Sequence, residues 1–219
     1  RQLEFEQFGR KISHRPSLVE EGIEILRRAW SGEPVNFEGK RFSVGDLCIT
    51  PTPKRAPKIL LGGMAPPAID RAARIADGFL CTGGIGMDVY VEALKNNGKS
   101  PEEGNIILGC WAIIAEDPEA EAANVGEHVL YQSNEYIRWG AFGPPDQTPL
   151  FPDARSAIDN GLYELWDADM AVEKLSAMIE TYPMISDIHF WAQFPGESVE
   201  SGSRRLNYIA EKVLPRLKG

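Results

Sequence analysis

Three cysteines and three histidines in 219 residues leave little material for disulfide or metal chemistry. Cys48, Cys81 and Cys110 are odd in number, widely spaced and set in apolar or strand-like surroundings. That pattern suits buried free thiols in a reducing cytosol, not a disulfide frame. His14, His128 and His189 make no metal-ligand spacing, so no metal is expected. Long hydrophobic runs are missing as well. The longest, Ile106 to Ala115, is too short to span a bilayer, and Arg1-Gln2-Leu3-Glu4 opens no apolar signal-peptide core. Basic charge is in deficit: 23 Lys and Arg stand against 32 Asp and Glu, a net charge of −9. This argues against nucleic acid or an anionic membrane as partner. No nucleophile–base pair and no paired carboxylates point to hydrolysis.

What is present is an ordinary globular composition, 43% hydrophobic and 25% charged, in one domain spanning residues 1–219. Strand and helix signals alternate. Pro16 and the box-like Ser17-Leu18-Val19-Glu20 open a helix whose apolar face is Val19, Ile23, Leu26 and Trp30. Val35 to Phe37 and Arg41 to Val44 read as a hairpin around Glu38-Gly39-Lys40. The run Ile59-Leu60-Leu61 is a short buried strand, followed by Gly62-Gly63-Met64 and then by Pro66-Pro67 at the start of a helix. Two glycines for a tight turn beside a helix N-terminus suit a phosphate, through backbone N–H groups and the helix dipole.

A strand at Phe79 to Thr82 ends at Gly83-Gly84, and a helix follows from Met87 to Asn96. The segment Ile106 to Ala115 is a single strand, and Asp117-Pro118 starts a helix to about Arg138. Gly140 to Asp167, proline-rich and without period, reads as an irregular, mobile excursion near the site. A helix from Met170 to Tyr182, a strand from Ile188 to Gln193 and a helix from Ser198 to Leu217 complete the chain.

Strands separated by helices imply a parallel sheet of βαβ units, either a small doubly wound sheet or half of a (β/α)8 barrel. The last strand tips the balance. Its face of His189, Trp191 and Gln193 is polar, as the inside of a barrel mouth allows and a doubly covered sheet does not. On the deeper side of that face His189 reads as a hydrogen-bonded core histidine.

Several segments then resemble the luciferase-like flavin monooxygenase family. They are Arg1-x-x-Glu4-Phe5-x-x-Phe8-Gly9, Arg15 with Glu20-Glu21, Phe37-Glu38-Gly39, Pro57 to Gly63, Arg71-Ala72-Ala73-x-x-Ala76-Asp77-Gly78-Phe79, Pro195-Gly196 and Val213-Leu214-Pro215. Their order and spacing cover almost the entire chain. The resemblance implies an α/β fold of TIM-barrel type, of which this chain is the C-terminal half, with the first four strands absent. It implies a flavin-dependent oxidoreductase, a monooxygenase using reduced FMN and dioxygen on a small organic substrate. The alternatives are a deazaflavin coenzyme with hydride transfer, or a flavin-binding protein without turnover.

The cofactor-binding residues it implies are Gly62, Gly63, Met64, Thr82 and Gly83. Trp111, Trp191 and Gln193 would wall the substrate pocket, and no catalytic residue is assigned. Deazaflavin-dependent sugar-phosphate dehydrogenases place a lysine shortly after the threonine matched by Thr82. Ile85 stands there instead, which argues against glucose 6-phosphate. The implied partners are a small-molecule substrate, a flavin reductase and a second copy in a homodimer, in the cytoplasm.

A half barrel would leave the edges at Ile59 and Ile188 unpaired, and Leu61, Leu80 and Trp191 on an open inner face. At roughly 25 cal/mol per Å², several hundred Å² left wet forfeits several kcal/mol, comparable with a domain's whole stability. Expressed alone, the 219 residues should aggregate, dimerise or melt without cooperativity. A monodisperse monomer with a sharp thermal transition would contradict the half barrel.

Overall fold

The computed structural model describes residues 2–191 and 193–217. In chain order the helices are α1 (Gln2–Gln7), α2 (Arg15–Ala29), α3 (Pro66–Ile75), α4 (Met87–Asn96), α5 (Pro118–Arg138), α6 (Ala154–Asp159), α7 (Ala168–Thr181), α8 (Val199–Tyr208) and α9 (Leu214–Leu217). The strands are β1 (Val35–Glu38), β2 (Ser43–Leu47), β3 (Leu60–Gly62), β4 (Gly78–Thr82), β5 (Ile106–Cys110), β6 (Ala112–Ile114), β7 (Glu164–Trp166) and β8 (Ile185–Phe190). Strands β3, β4, β5 and β8 hydrogen-bond in that order in one sheet, while β1–β2 and β6–β7 form two-stranded sheets. The β3–β4 and β6–β7 pairs are parallel, and β1–β2 is the antiparallel hairpin. The chain divides into two compact units, residues 1–80 with 86–106 and residues 81–85 with 107–219.

In the first unit, carboxylates do much of the fastening. Glu21 accepts the amides of Lys40, Arg41 and Phe42 at 3.0, 2.8 and 3.1 Å, tying the hairpin turn to α2. Glu20 meets Arg71 at 2.9 Å and Arg74 at 2.7 Å, joining α2 to α3. The expected capping box is therefore absent. His14 is the N-cap without a side-chain bond, and the Ser17 hydroxyl donates to the His14 carbonyl. Asp77 accepts from the Ile59 amide at 2.8 Å and from Arg27 at 2.9 Å, which sets the entry to β3. Behind these contacts Phe79 stacks on Tyr90 with ring centres 5.1 Å apart, among buried Ile69, Ala72, Ala73 and Leu94. The register pairs Leu61 with Phe79 and Gly62 with Leu80. Alternation then puts Leu60, Gly62 and Leu80 on the exposed face and leaves Leu61 half-buried on the other. Leu61 and Leu80 do not share a face.

In the second unit, the expected single strand from Ile106 to Ala115 breaks at Trp111. Its second part, β6, pairs with β7 in a stretch that sequence alone reads as an excursion. Residues 154–167 are thus core-forming: Ala157, Tyr163 and Trp166 are all buried, and α6 is capped by Asp153. β8 lies three residues earlier than expected, so Trp191 and Gln193 follow the strand instead of alternating within it. His189 is exposed, not a core histidine, and Ala192 lies outside the described residues. Asp117, Asp167 and Ser198 cap α5, α7 and α8 through their side chains. A π-helical turn, Ile209–Val213, joins α8 to α9.

The turn after β8 is held by a buried charge. Arg205, 3% exposed, donates to both Glu197 oxygens at 2.6 Å and to Glu121 of α5 at 2.5 Å. Glu197 also accepts the Phe194 amide at 2.9 Å, and the guanidinium lies 5.3 Å from the Phe194 ring centre. Burial alone would raise the Glu197 pKa. The hydrogen bonds from Arg205, Ser201 and the Phe194 amide outweigh it and hold the carboxyl below the ordinary 4.5.

Removing one partner of a buried pair strands the other charge, so Arg205→Ala should cost about 3–5 kcal/mol in denaturant unfolding. Because the Glu197 pKa is depressed in the fold, its contribution is present above the unfolded value and lost as pH falls through the folded one. The melting temperature should fall on acidification below pH 4.5. In Glu197→Gln this part of the acid dependence should be missing.

Candidate functional site

The turn after β3 is a matter of close packing more than of backbone freedom. Neither Gly62 nor Gly63 has a positive φ. A Cβ on Gly63 would sit 2.6 Å from the Ala68 Cβ, so this glycine lets the turn lie against the first turn of α3. The start of α3 offers less to an anion than its sequence suggests. Pro66 and Pro67 carry no N–H, and the Ala68 amide donates back to the Ala65 carbonyl at 2.9 Å. What remains for a ligand is the helix dipole and the turn amides of Met64 and Ala65, for which no backbone hydrogen bond is seen among the described residues; the Gly63 amide adjoins the Gly62–Leu80 ladder pair. The Met64 side chain beside them is 52% exposed.

The turn after β4 is built differently. Gly83, Gly84 and Gly86 all have positive φ, a conformation that favours glycine. The Gly83 amide donates to the Gly109 carbonyl at 2.8 Å, so it fastens the turn and is not free for a ligand. A Cβ on Gly83 would meet nothing within 4 Å, so the turn has open space beside it. The Thr82 hydroxyl has no partner among the described residues, and Ile85 is exposed. The Cys81 thiol donates to the Ile85 carbonyl at 3.5 Å. Burial pushes its pKa up to about 11, and that of Cys110 to about 12, so neither is a ready thiolate. Cys48 is exposed, against the expectation of three buried thiols.

Trp111 and Trp191 do come together, with ring centres 5.4 Å apart. Trp111 stacks on Tyr163 at 5.1 Å and on Tyr136 at 6.0 Å, and Phe194 packs edge-on against Tyr163 at 5.2 Å. Polar groups run through this cluster. The Tyr163 hydroxyl donates to Gln132 at 2.9 Å, and the Gln132 amide reaches the Tyr136 hydroxyl at 3.5 Å. Burial raises the Tyr163 pKa further beyond the ordinary phenol value, so it stays a donor. The buried Trp191 Nε1 has no hydrogen-bond partner among the described residues, and neither has Ser133 Oγ on α5.

Gln193 does not join the cluster. Its amide donates to the Glu197 carbonyl at 2.8 Å and closes the turn after β8. Sequence reading missed Gln132, Tyr136 and Tyr163. The signal was a glutamine and a tyrosine continuing the Val125–Val129 stripe of α5 at helical spacing. Among the described residues no group of His, Cys, Asp or Glu is placed to hold a metal, and no helix is long and apolar enough to cross a membrane. If close packing is the reason for Gly63, Gly63→Ala should cost about 1–3 kcal/mol in thermal or denaturant unfolding. Gly62→Ala should be milder, since its Cβ would lie 3.4 Å from the Leu80 carbonyl.

The luciferase-like monooxygenase family profile matches residues 1–177. The chain is similar to an F420-dependent glucose-6-phosphate dehydrogenase of Intrasporangium calvum, 24% identical over 221 residues that cover 95% of this chain and 63% of that protein. A protein of the same name from Tsukamurella paurometabola is 32% identical over 84 residues, 38% of this chain and 25% of that one. In fold it resembles the monooxygenase RslO1 of Streptomyces bottropensis, with a TM-score of 0.72 at 20% identity, covering 97% of this chain and 64% of the other. It also resembles an F420-dependent secondary alcohol dehydrogenase, with a TM-score of 0.67 at 15% identity, covering 95% and 63%. Even where the alignment runs nearly end to end, the chain spans less than two thirds of its curated relative's length. With the profile matched over most of its residues, the chain belongs to the luciferase-like monooxygenase family.

Proposed function

We propose that this chain forms part of a flavin-type oxidoreductase acting on a small, uncharged and largely apolar organic substrate, with reduced FMN and dioxygen as co-reactants. The observation that carries the substrate class is the aromatic cluster of Trp111, Trp191 and Tyr163, lined with neutral hydrogen-bonding groups. Exposed Ile85 follows Thr82 where a sugar phosphate would call for a cation. A second reading, hydride transfer with coenzyme F420, is favoured by the names of the curated relatives. When bound, the cofactor supplies the two-electron chemistry, and the protein's part is to bind, orient and exclude water.

In this reading the cofactor's phosphate-bearing tail lies against Gly62, Gly63 and Met64, beside the Met64 and Ala65 amides, for which no backbone hydrogen bond is seen among the described residues. Thr82 contributes its hydroxyl. Gly83 contributes the open space of its turn, since its amide is committed to Gly109. A flavin reductase would furnish reduced FMN, a second copy would complete a homodimer, and the unpaired thiols suit the cytoplasm.

Absorbance of the purified protein, with mass identification of the released chromophore, tests the assignment: FMN supports the first reading and F420 the second. A protein that binds neither when supplied with both would contradict it. For the phosphate turn the useful substitution is Met64→Glu, which adds charge at an exposed side chain without the Gly63 clash. It should raise the cofactor dissociation constant on the order of tenfold with an unchanged melting temperature. An unaltered dissociation constant would move the phosphate elsewhere.

A further inference from the structure

Trp191 begins immediately after Phe190, the last residue of β8, at the kind of strand end where barrel enzymes gather their site residues. Its indole nitrogen is shut off from solvent and has no hydrogen-bond partner. A buried donor left unpaired costs about 1–3 kcal/mol, and folded proteins rarely keep one without a use. The neighbouring side-chain amides and phenols have partners of their own. Tyr163 donates to Gln132 and Gln132 reaches Tyr136, while the Gln193 amide is turned to the Glu197 carbonyl.

The ring faces tell a similar story. Trp111 has near-parallel neighbours, Tyr163 at 15° and Tyr136 at 26°. Trp191 has none: Trp111 is tilted against it at 52° and Tyr163 meets it at 67°. Trp191 is thus half-buried with no stacked aromatic neighbour among the described residues, and the same ring carries an N–H with no partner there. A planar ligand carrying a carbonyl oxygen would use both.

We propose that the Trp191 indole N–H donates a hydrogen bond to a carbonyl oxygen of a planar ligand that packs against the Trp191 ring. This rests on the flavin-type oxidoreductase reading, and the carbonyl belongs either to the cofactor ring or to the substrate. Trp191 acts here as a binding and positioning residue, fixing the orientation of the group it holds.

Trp191→Phe in the intact protein keeps a ring and removes the donor. Without ligand its melting temperature should stay level or rise, because an unpaired buried donor has been removed. Dissociation constants for FMN, coenzyme F420 and acetophenone as a simple planar carbonyl probe are then compared with those of the parent. A rise on the order of tenfold for a cofactor assigns the carbonyl to its ring. The same rise for acetophenone with unchanged cofactor binding assigns it to the substrate. In the unsubstituted protein, the indole N–H resonance that vanishes in Trp191→Phe should move downfield when that ligand is added. If all three dissociation constants are unchanged and the resonance does not move, the inference is overturned, whatever the melting temperature does. Failure of the unsubstituted protein to bind FMN or F420 is a different result, which brings down the functional reading and this inference with it.

Discussion

One buried guanidinium, held by carboxylates from two segments, ties the second unit together. Arg205 is 3% exposed, and a charge so placed is tolerable only with partners of opposite sign in good geometry. Glu197 provides a two-pronged partner and Glu121 a second one from α5. To reach Arg205, the chain after β8 must fold back as a tight turn, with Glu197 also holding the Phe194 amide. That turn lays Phe194 on Tyr163, within the cluster that Trp111 and Trp191 share. The geometry of a mostly apolar aromatic cluster is thus tied to an ion pair that is not part of it.

In the first unit the same logic runs through carboxylates on shorter tethers. Asp77 gathers a backbone amide and an arginine, Glu20 two arginines and Glu21 three backbone amides. Several residues that carry the family resemblance have these structural duties. Arg71 anchors α3 to α2. Asp77 positions the start of β3. Gly78 allows β4 to run close to Leu60 and Asn105, where a Cβ would come within 3 Å of both. The motif Arg71 to Phe79 is a packing signature that sets up the β3 turn.

The two regions offer different chemistry, and the proposed roles follow it. The turn before α3 combines backbone amides with a helix dipole, the chemistry proposed for an anion, though Pro66 and Pro67 make it sparer than most helix starts. The aromatic cluster combines stacked rings with neutral donors, the chemistry proposed for a flat, uncharged group.

Much of this chain was legible from sequence because it is decided locally. Asp117 before Pro118, Ser198 and the Pro66-Pro67 pair mark helix starts, and α4 falls where apolar spacing puts it. Capping and proline geometry act over three or four residues, so the sequence by itself determines them. The alternation of strand and helix, and with it the parallel sheet, follows from the same short-range signals. Only tertiary structure decided that Trp111 interrupts its strand and that Glu164 to Trp166 is a strand at all. Three residues have no periodicity to read, and β7 exists because Ala112 to Ile114 offers it hydrogen bonds from far along the chain. Tertiary structure likewise brought Tyr136 and Tyr163 onto Trp111 from positions far apart in the chain. It also paired Arg205 with Glu121, 84 residues away, an attraction no local pattern records.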